Sequence, residues 1–222
     1  MRSAQRRKTM ALSVPPAREV VVRAPLFVPR DELAEFVKKQ VPWILRRLEA
    51  VPPEPVLPRL VADGDRLSYL GQPFRLELRR ARRVSVSFDG RALRIAAPEL
   101  EPERIHAAVV RWYASRAAAA VTEAVARWAP VVGRTPTRLA IRDQKRRWGS
   151  CSGKDAISIN WRCVAMDPAL LDYVVVHELC HLIEHNHSPR FWAEVERVMP
   201  GYRTPLKTLK AIRPGFPFDA LR

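Results

Sequence analysis

The sequence predicts an α+β fold, in which a β-rich N-terminal part precedes a helix-rich C-terminal part. Short runs of alternating apolar residues between positions 67 and 97 are typical of β-strands. An alanine-rich run over residues 102–128 is typical of a long helix, and a continuous apolar run before His177 indicates a buried one. We therefore expect an N-terminal β-rich subdomain with one helix over residues 1–98 and a second domain over residues 99–222.

The first hundred residues predict short strands, one interrupted helix and a stiff connection. Strands are expected over residues 10–14 and 19–25, and a helix over residues 29–50 with a kink or break at Pro42. The proline-rich residues 51–60 indicate an extended connection. Four strands follow, the last two joined by an Asp-Gly hairpin turn: 67–70, 74–78, 84–88 and 92–96.

The second half predicts two strands and two helices after the long helix. Residues 139–141 predict a strand, and residues 156–161 a second strand that forms a hairpin with it. Helices are expected over residues 167–186 and 189–198. Asp167 and Ser188, each followed by a proline, are suitable N-caps for them. The tail over residues 201–222 is basic and shows little periodicity.

The first of these two helices carries the motif His-Glu-x-x-His. His177 and His181 lie one helical turn apart and share a face, where two neutral imidazoles can bind one Zn²⁺. Glu178 lies beside that face and can accept a proton from water at the metal. A catalytic zinc needs a third protein ligand and one open position. His187 is the natural third ligand, because the chain can turn back after Glu184.

A surface helix with incidental histidines would contain the same motif. Residues 173–176 are apolar, however, so this helix is expected to be buried, where unpaired His and Glu side chains would be costly without a metal. A zinc helix beside a small sheet is the arrangement of zincin-type metallohydrolases, in which a sheet edge can hold an extended substrate. Segment 145–161 is the candidate for that edge.

The chain is strongly basic, with 39 Lys and Arg against 23 Asp and Glu and a formal charge of +16. A solvated basic surface explains this charge, and the alternative is attraction to acidic proteins, nucleotides or, weakly, nucleic acid. Three cysteines do not make a disulfide framework and suit a reducing compartment. Because neither a bilayer-spanning run nor a signal peptide is visible, we expect a cytoplasmic protein without membrane association.

Four segments together resemble a known family. They are residues 147–152, 159–162, 172–182 and 186–192. These segments are similar to the motifs of the YgjP-like family of predicted metal-dependent hydrolases, which are related to SprT-like metallopeptidases. The resemblance covers most of the chain and implies a zincin-like catalytic domain over residues 99–222. It also implies a zinc site at His177, His181 and His187, with Glu178 as catalytic acid and base.

The leading hypothesis is therefore a zinc metallopeptidase that cleaves a peptide or protein. A nucleoside triphosphate pyrophosphatase is the alternative, because the resemblance includes a member associated with UTP pyrophosphatase activity, and Arg142, Arg146 and Arg147 would then hold phosphates. A basic nucleic-acid-associated protein with a structural metal is a second alternative, against which Glu178 and the open metal position argue. Substrate contacts are expected from Arg146, Arg147 and Trp148.

Overall fold

The computed structural model describes residues 10–13, 20–25, 27–49, 60–145 and 147–212. The chain divides into two compact units, residues 1–57 and 58–222. The chain contains both helices and strands, so the predicted α+β class is confirmed. The domain division predicted between residues 98 and 99 falls inside the larger unit and stays a prediction.

The smaller unit contains a two-stranded antiparallel sheet and two short helices. Its elements are β1 (Ala11–Ser13), β2 (Val21–Arg23), α1 (Arg30–Lys39) and α2 (Val41–Glu49). The predicted interruption of the helix is confirmed at Gln40. Pro42 lies in the first turn of α2, where backbone N–H groups have no partner within the helix. The proline-rich residues 51–59 lie outside the described part of the chain.

A four-stranded sheet opens the larger unit. Its strands are β3 (Arg66–Tyr69), β4 (Gln72–Arg80), β5 (Ser85–Phe88) and β6 (Ala92–Ala97), in the order β3-β4-β6-β5. The predicted hairpin of β5 and β6 is confirmed, whereas β4 and β6 are parallel. The alternating pattern places Leu76, Leu93 and Ile95 in the core.

Helix α3 (Pro102–Val132) provides the centre of the core. Residues at helical spacing along it, among them Val109, Tyr113 and Val121, are fully buried. The helix is one turn longer than predicted and ends at Gly133, a C-cap with a φ of +79°.

A second sheet has three strands. They are β7 (Arg138–Arg142), β8 (Gly149–Cys151) and β9 (Ala156–Asn160), in the order β7-β9-β8. The predicted hairpin between residues 139–141 and 156–161 is wrong, because β7 and β9 are parallel and the antiparallel partner of β9 is β8. An alternating pattern shows which side chains face the core but not which neighbour a strand takes. β8 is therefore an edge strand, inside the segment predicted to be one.

The remaining elements are helical. A 3-10 helix (Trp161–Ala165) leads into α4 (Pro168–Cys180), α5 (Pro189–Val198) and α6 (Arg203–Ala211). Asp167 and Ser188 cap α4 and α5 as predicted. The prediction that the motif helix reaches Asn186 is wrong, since α4 ends at Cys180 and a turn follows. α6 was not predicted. Among the described residues, no helix is both long and apolar enough to cross a membrane.

Candidate metal centre

Three imidazoles converge at the C-terminal end of α4. Nε2 of His177 and Nε2 of His187 are 3.0 Å apart. One ring nitrogen from each of His177, His181 and His187 lies within 4.8 Å of the other two. Zn–N bonds of about 2.0–2.1 Å place the ligand nitrogens of a tetrahedral site roughly 3.3 Å apart. The three nitrogens therefore have a spacing that one tetrahedral metal ion can accommodate.

The end of α4 produces this convergence. The apolar residues that precede the motif are buried and hold the helix in the core: Val174, Val175 and Val176. His181 is the C-cap of α4, and the chain then turns, with the Ile183 amide donating to the Cys180 carbonyl at 3.0 Å. This turn lets His187, in the loop before α5, come back to His177.

Aromatic packing and a backbone bond hold His181 in place. Its ring stacks on the fully buried Phe191 of α5, with ring centroids 4.3 Å apart. Its Nδ1 lies 3.0 Å from the Glu184 carbonyl oxygen, which can only accept a hydrogen bond. The proton is therefore on Nδ1, and Nε2 is free to bind a metal.

The imidazoles of His177 and His181 are neutral at neutral pH. Burial, together with the neighbouring rings of His181 and His187, lowers the pKa of His177 to about 3. Burial is also the main cause that lowers the pKa of His181. The Tyr173 hydroxyl lies 3.4 Å from Nδ1 of His177, on the ring edge away from His187. Neutral imidazole is the form that binds metal ions, so the electrostatics suit a cation here.

Glu178 supplies a carboxyl group beside the imidazoles. Its side chain is 5% exposed, and its Oε2 has no hydrogen-bond partner among the described residues. Burial raises the pKa of this carboxyl to about 8, against the opposing positive charge of Arg147. An unpaired buried carboxyl is costly, and perturbed acids of this kind cluster at functional sites.

Gly149 on β8 allows this carboxyl to lie against the sheet edge. A β-carbon built on Gly149 would be 2.5 Å from Oε1 of Glu178 and 2.6 Å from its Cγ. Real β-carbons do not approach other atoms so closely, so any other residue would displace the Glu178 side chain or the strand. The edge strand and the carboxyl of α4 are therefore in direct contact.

A cavity of about 290 Å³ gives access to this site. Its walls include His177 and Glu178 on one side and Leu206 and Leu209 of α6 on another. Two of the three residues predicted to contact substrate, Arg147 and Trp148, also line it. The third, Arg146, lies outside the described residues.

Sequence reasoning missed three contributions to this site. Tyr173 precedes His177 by four residues, and that spacing could have indicated their contact. Gly149 was part of a recognised motif, but its contact with Glu178 depends on the sheet edge. The wall formed by α6 comes from the tail in which no element was predicted.

Comparison with known proteins gives two matches. The family model of the YgjP-like metallopeptidase domain matches residues 8–212. Among solved structures, the metallopeptidase zymogen of Pyrococcus abyssi abylysin is similar, with 26% identity and a TM-score of 0.39, over 42% of this chain and 96% of that chain. No significant match is found among curated proteins. The family match implies a metal ion and a peptide substrate.

Proposed function

This chain belongs to the YgjP-like metallopeptidase family, and from that membership we propose that it is a zinc-dependent peptidase. The observation that carries the proposal is the convergence of His177, His181 and His187 beside the buried carboxyl of Glu178. Three protein ligands leave one position of a tetrahedral ion open, which is the arrangement of catalytic zinc sites, whereas structural sites have four.

The donor set favours zinc. Three imidazole nitrogens suit Zn²⁺, whereas Mg²⁺ and Ca²⁺ prefer oxygen ligands. Bound Zn²⁺ would supply a Lewis acid that polarises a scissile carbonyl and lowers the pKa of water to about 7. The stacking on Phe191 and the bond to the Glu184 carbonyl orient His181 independently of an ion, so the site is partly preorganised.

Glu178 is the proposed general base. A carboxylate with a raised pKa takes a proton from the attacking water more readily than an ordinary carboxylate. The same group, once protonated, can pass that proton to the leaving amine. The positive charge of Arg147 offsets part of the effect of burial and so favours the ionised form that accepts the proton.

The free edge of β8 supports a peptide as the substrate. Among the described residues β8 has one neighbouring strand, β9, and the Ser152 amide donates to the Ala156 carbonyl. Because hydrogen-bonded and non-hydrogen-bonded pairs alternate in an antiparallel ladder, the backbone groups of Gly149 and Cys151 point away from β9. An extended peptide can pair with them by strand addition, which places its main chain beside Glu178.

Metal analysis and peptide cleavage test this proposal. We expect about one zinc per chain and cleavage that chelation abolishes and added zinc restores. Glu178→Gln should keep the zinc and lose at least ~10²-fold in rate, the usual scale of general acid–base catalysis. The matched control is Glu123→Gln, which changes an exposed carboxyl on α3 and should keep the parent rate.

Two results would refute the peptidase assignment. One is full activity of Glu178→Gln. The other is release of pyrophosphate from a nucleoside triphosphate, dependent on Glu178, while a broad peptide panel stays uncleaved under the same conditions. The second result would establish the pyrophosphatase alternative.

A further inference from the structure

A second cavity adjoins the one beside the imidazoles. It has a volume of about 210 Å³, and its walls contain neither the histidines nor Glu178. The two cavities share four lining residues: Arg147, Trp148, Leu209 and Lys210. A bound chain that occupies the first cavity can therefore extend into the second.

The second cavity is cationic. Of the residues that the structure describes, Lys145, Arg147, Arg162 and Lys210 line it, and no acidic residue does. Within the described part of the chain, only Arg162 of these four has an ion-pair partner, the carboxylate of Asp143. Lys145 and Lys210 consequently have no carboxylate in ion-pair contact among the described residues, while Arg147 also acts on the Glu178 carboxyl. A cavity lined by one sign of charge concentrates ions of the other.

Hydrogen bonds from a buried amide hold the walls of this cavity. Asn160 is 2% exposed, and its Nδ2 donates to the Gln144 carbonyl at 2.6 Å and to the Arg147 carbonyl at 3.0 Å. These bonds tie the loop between β7 and β8 to the end of β9. The backbone is therefore anchored to β9 at Gln144 and at Arg147.

Arg162 contributes a guanidinium to the cavity wall, and neighbouring side chains fix its position. Its side chain is 17% exposed, and its Cζ lies 4.3 Å from the centroid of the Trp161 ring. Nη1 donates to Asp143 and, at 3.4 Å, to Oδ1 of Asn160, but Nε is buried with no partner among the described residues. The guanidinium therefore has a fixed position in the wall of the cavity, where its positive charge attracts an anion.

We propose that this cavity is a specificity subsite for an acidic side chain of the peptide substrate. This proposal rests on the function proposed above. The first cavity, with Leu206, Leu209 and Val174 in its walls, suits an apolar side chain of the same peptide. Side chains on one face of an extended peptide recur every two residues, roughly 7 Å apart, so they can fill adjoining cavities. The two cavities together would select a peptide in which an aspartate or glutamate lies near an apolar residue.

Matched peptides test the subsite. Each peptide is made in a Glu and a Gln form, identical otherwise, with that residue one or two positions to either side of a leucine. For the zinc-loaded protein we expect kcat/KM to be roughly 5- to 20-fold higher for the Glu form. This factor corresponds to several partly exposed ion pairs between the Glu carboxylate and the cations of the cavity. This preference should shrink as salt is raised.

The decisive variant is Lys145→Met combined with Lys210→Met. It should reduce the Glu/Gln ratio to about 2-fold or less, since two of the cations are removed. The matched control is Lys154→Met combined with Lys207→Met, which removes two exposed lysines that do not line the cavity, one of them on α6. The control should keep the parent ratio.

Binding provides a readout that does not depend on turnover. Calorimetry with the zinc-loaded Glu178→Gln variant should show the same Glu preference, and adding Lys145→Met and Lys210→Met should remove it. Cleavage or binding without a Glu/Gln difference, or a difference that the lysine variant retains, would overturn the subsite while leaving the peptidase intact. Glu-selective binding by a protein that cleaves no peptide would support the subsite and refute the proposed function.

Discussion

Gly149 and Glu178 approach each other so closely that a β-carbon on the glycine would lie 2.5 Å from Oε1 of the carboxyl. The edge strand and the motif helix therefore meet at the position of the proposed general base. Only glycine, which has no side chain, leaves the carboxyl its place between β8 and the imidazoles. This contact also places the backbone edge of β8, where a peptide would pair, next to the proposed general base.

Gly149→Ala should reduce activity without removing the metal. The added methyl group displaces the Glu178 carboxyl, whereas the three imidazoles lie on other parts of the chain. We expect a loss in kcat of at least ~10-fold, since misplacing a general base by about 1 Å is sufficient for such losses. Zinc content by elemental analysis should match that of the parent protein.

Gly153→Ala is the control for this change, because a β-carbon there meets no atom within 4 Å. It should keep the parent rate. If Gly149→Ala were as active as Gly153→Ala, the contact would have no role in positioning Glu178.

His187→Ala should lose zinc, whereas His185→Ala should keep it. His185 is exposed and stands outside the imidazole cluster, while Nε2 of His187 is 3.0 Å from Nε2 of His177. Loss of a direct ligand should weaken zinc binding by more than the 10- to 100-fold typical of residues that support ligands. Competition with a chromogenic chelator measures the affinity, and the reverse pattern would rule out His187 as the third ligand.

Tyr173→Phe should weaken zinc binding moderately. The hydroxyl lies 3.4 Å from Nδ1 of His177 and orients that ring, but this distance is at the long end for a hydrogen bond. We expect a loss in zinc affinity of about 10-fold, the lower limit for groups that support a ligand. Tyr69→Phe removes a hydroxyl from a β3 residue that neither belongs to the imidazole cluster nor lines its cavity, and it should have no effect on zinc affinity. Equal affinities for the two variants would contradict the orienting role.

In the metal-free protein, Glu178 should contribute less to stability as pH rises. Burial raises the folded-state pKa of Glu178 from 4.5 to about 8, so between these values the folded state holds the proton more tightly than the unfolded state. The contribution of Glu178 to the free energy of unfolding therefore falls as pH rises from about 4.5 to about 8 and then levels off. At about 1.4 kcal/mol per pKa unit, this contribution falls by an amount on the order of 5 kcal/mol.

His177 acts in the opposite direction, because its pKa of about 3 in the folded state makes the protein more stable as pH rises toward 6.5. Glu178→Gln separates the two effects. Relative to the parent protein, this variant should gain stability progressively between about pH 4.5 and 8, measured by denaturant unfolding of chelator-treated protein. Glu123→Gln should show no such trend, and a flat difference for Glu178→Gln would contradict the raised pKa.

Local sequence patterns predicted most of the helices and strands. The alternation in β5 and β6, the caps at Asp167 and Ser188, and the break near Pro42 depend on residues close to each other in the chain. Such patterns report the direction of a side chain relative to its own backbone. They therefore miss α6, whose stability depends on packing Leu209 against the rest of the core, and they misjudge the end of α4.

The histidine motif is also local, since one helical turn determines that His177 and His181 share a face. The sequence by itself thus determined the mixed α+β class, the motif helix and the candidate ligands. The tertiary structure alone decided the parallel pairing of β7 with β9, the approach of Gly149 to Glu178 and the cationic cavity between the β7–β8 loop and α6. These depend on which distant segments pack together to bury the core, and no spacing within one segment records that choice.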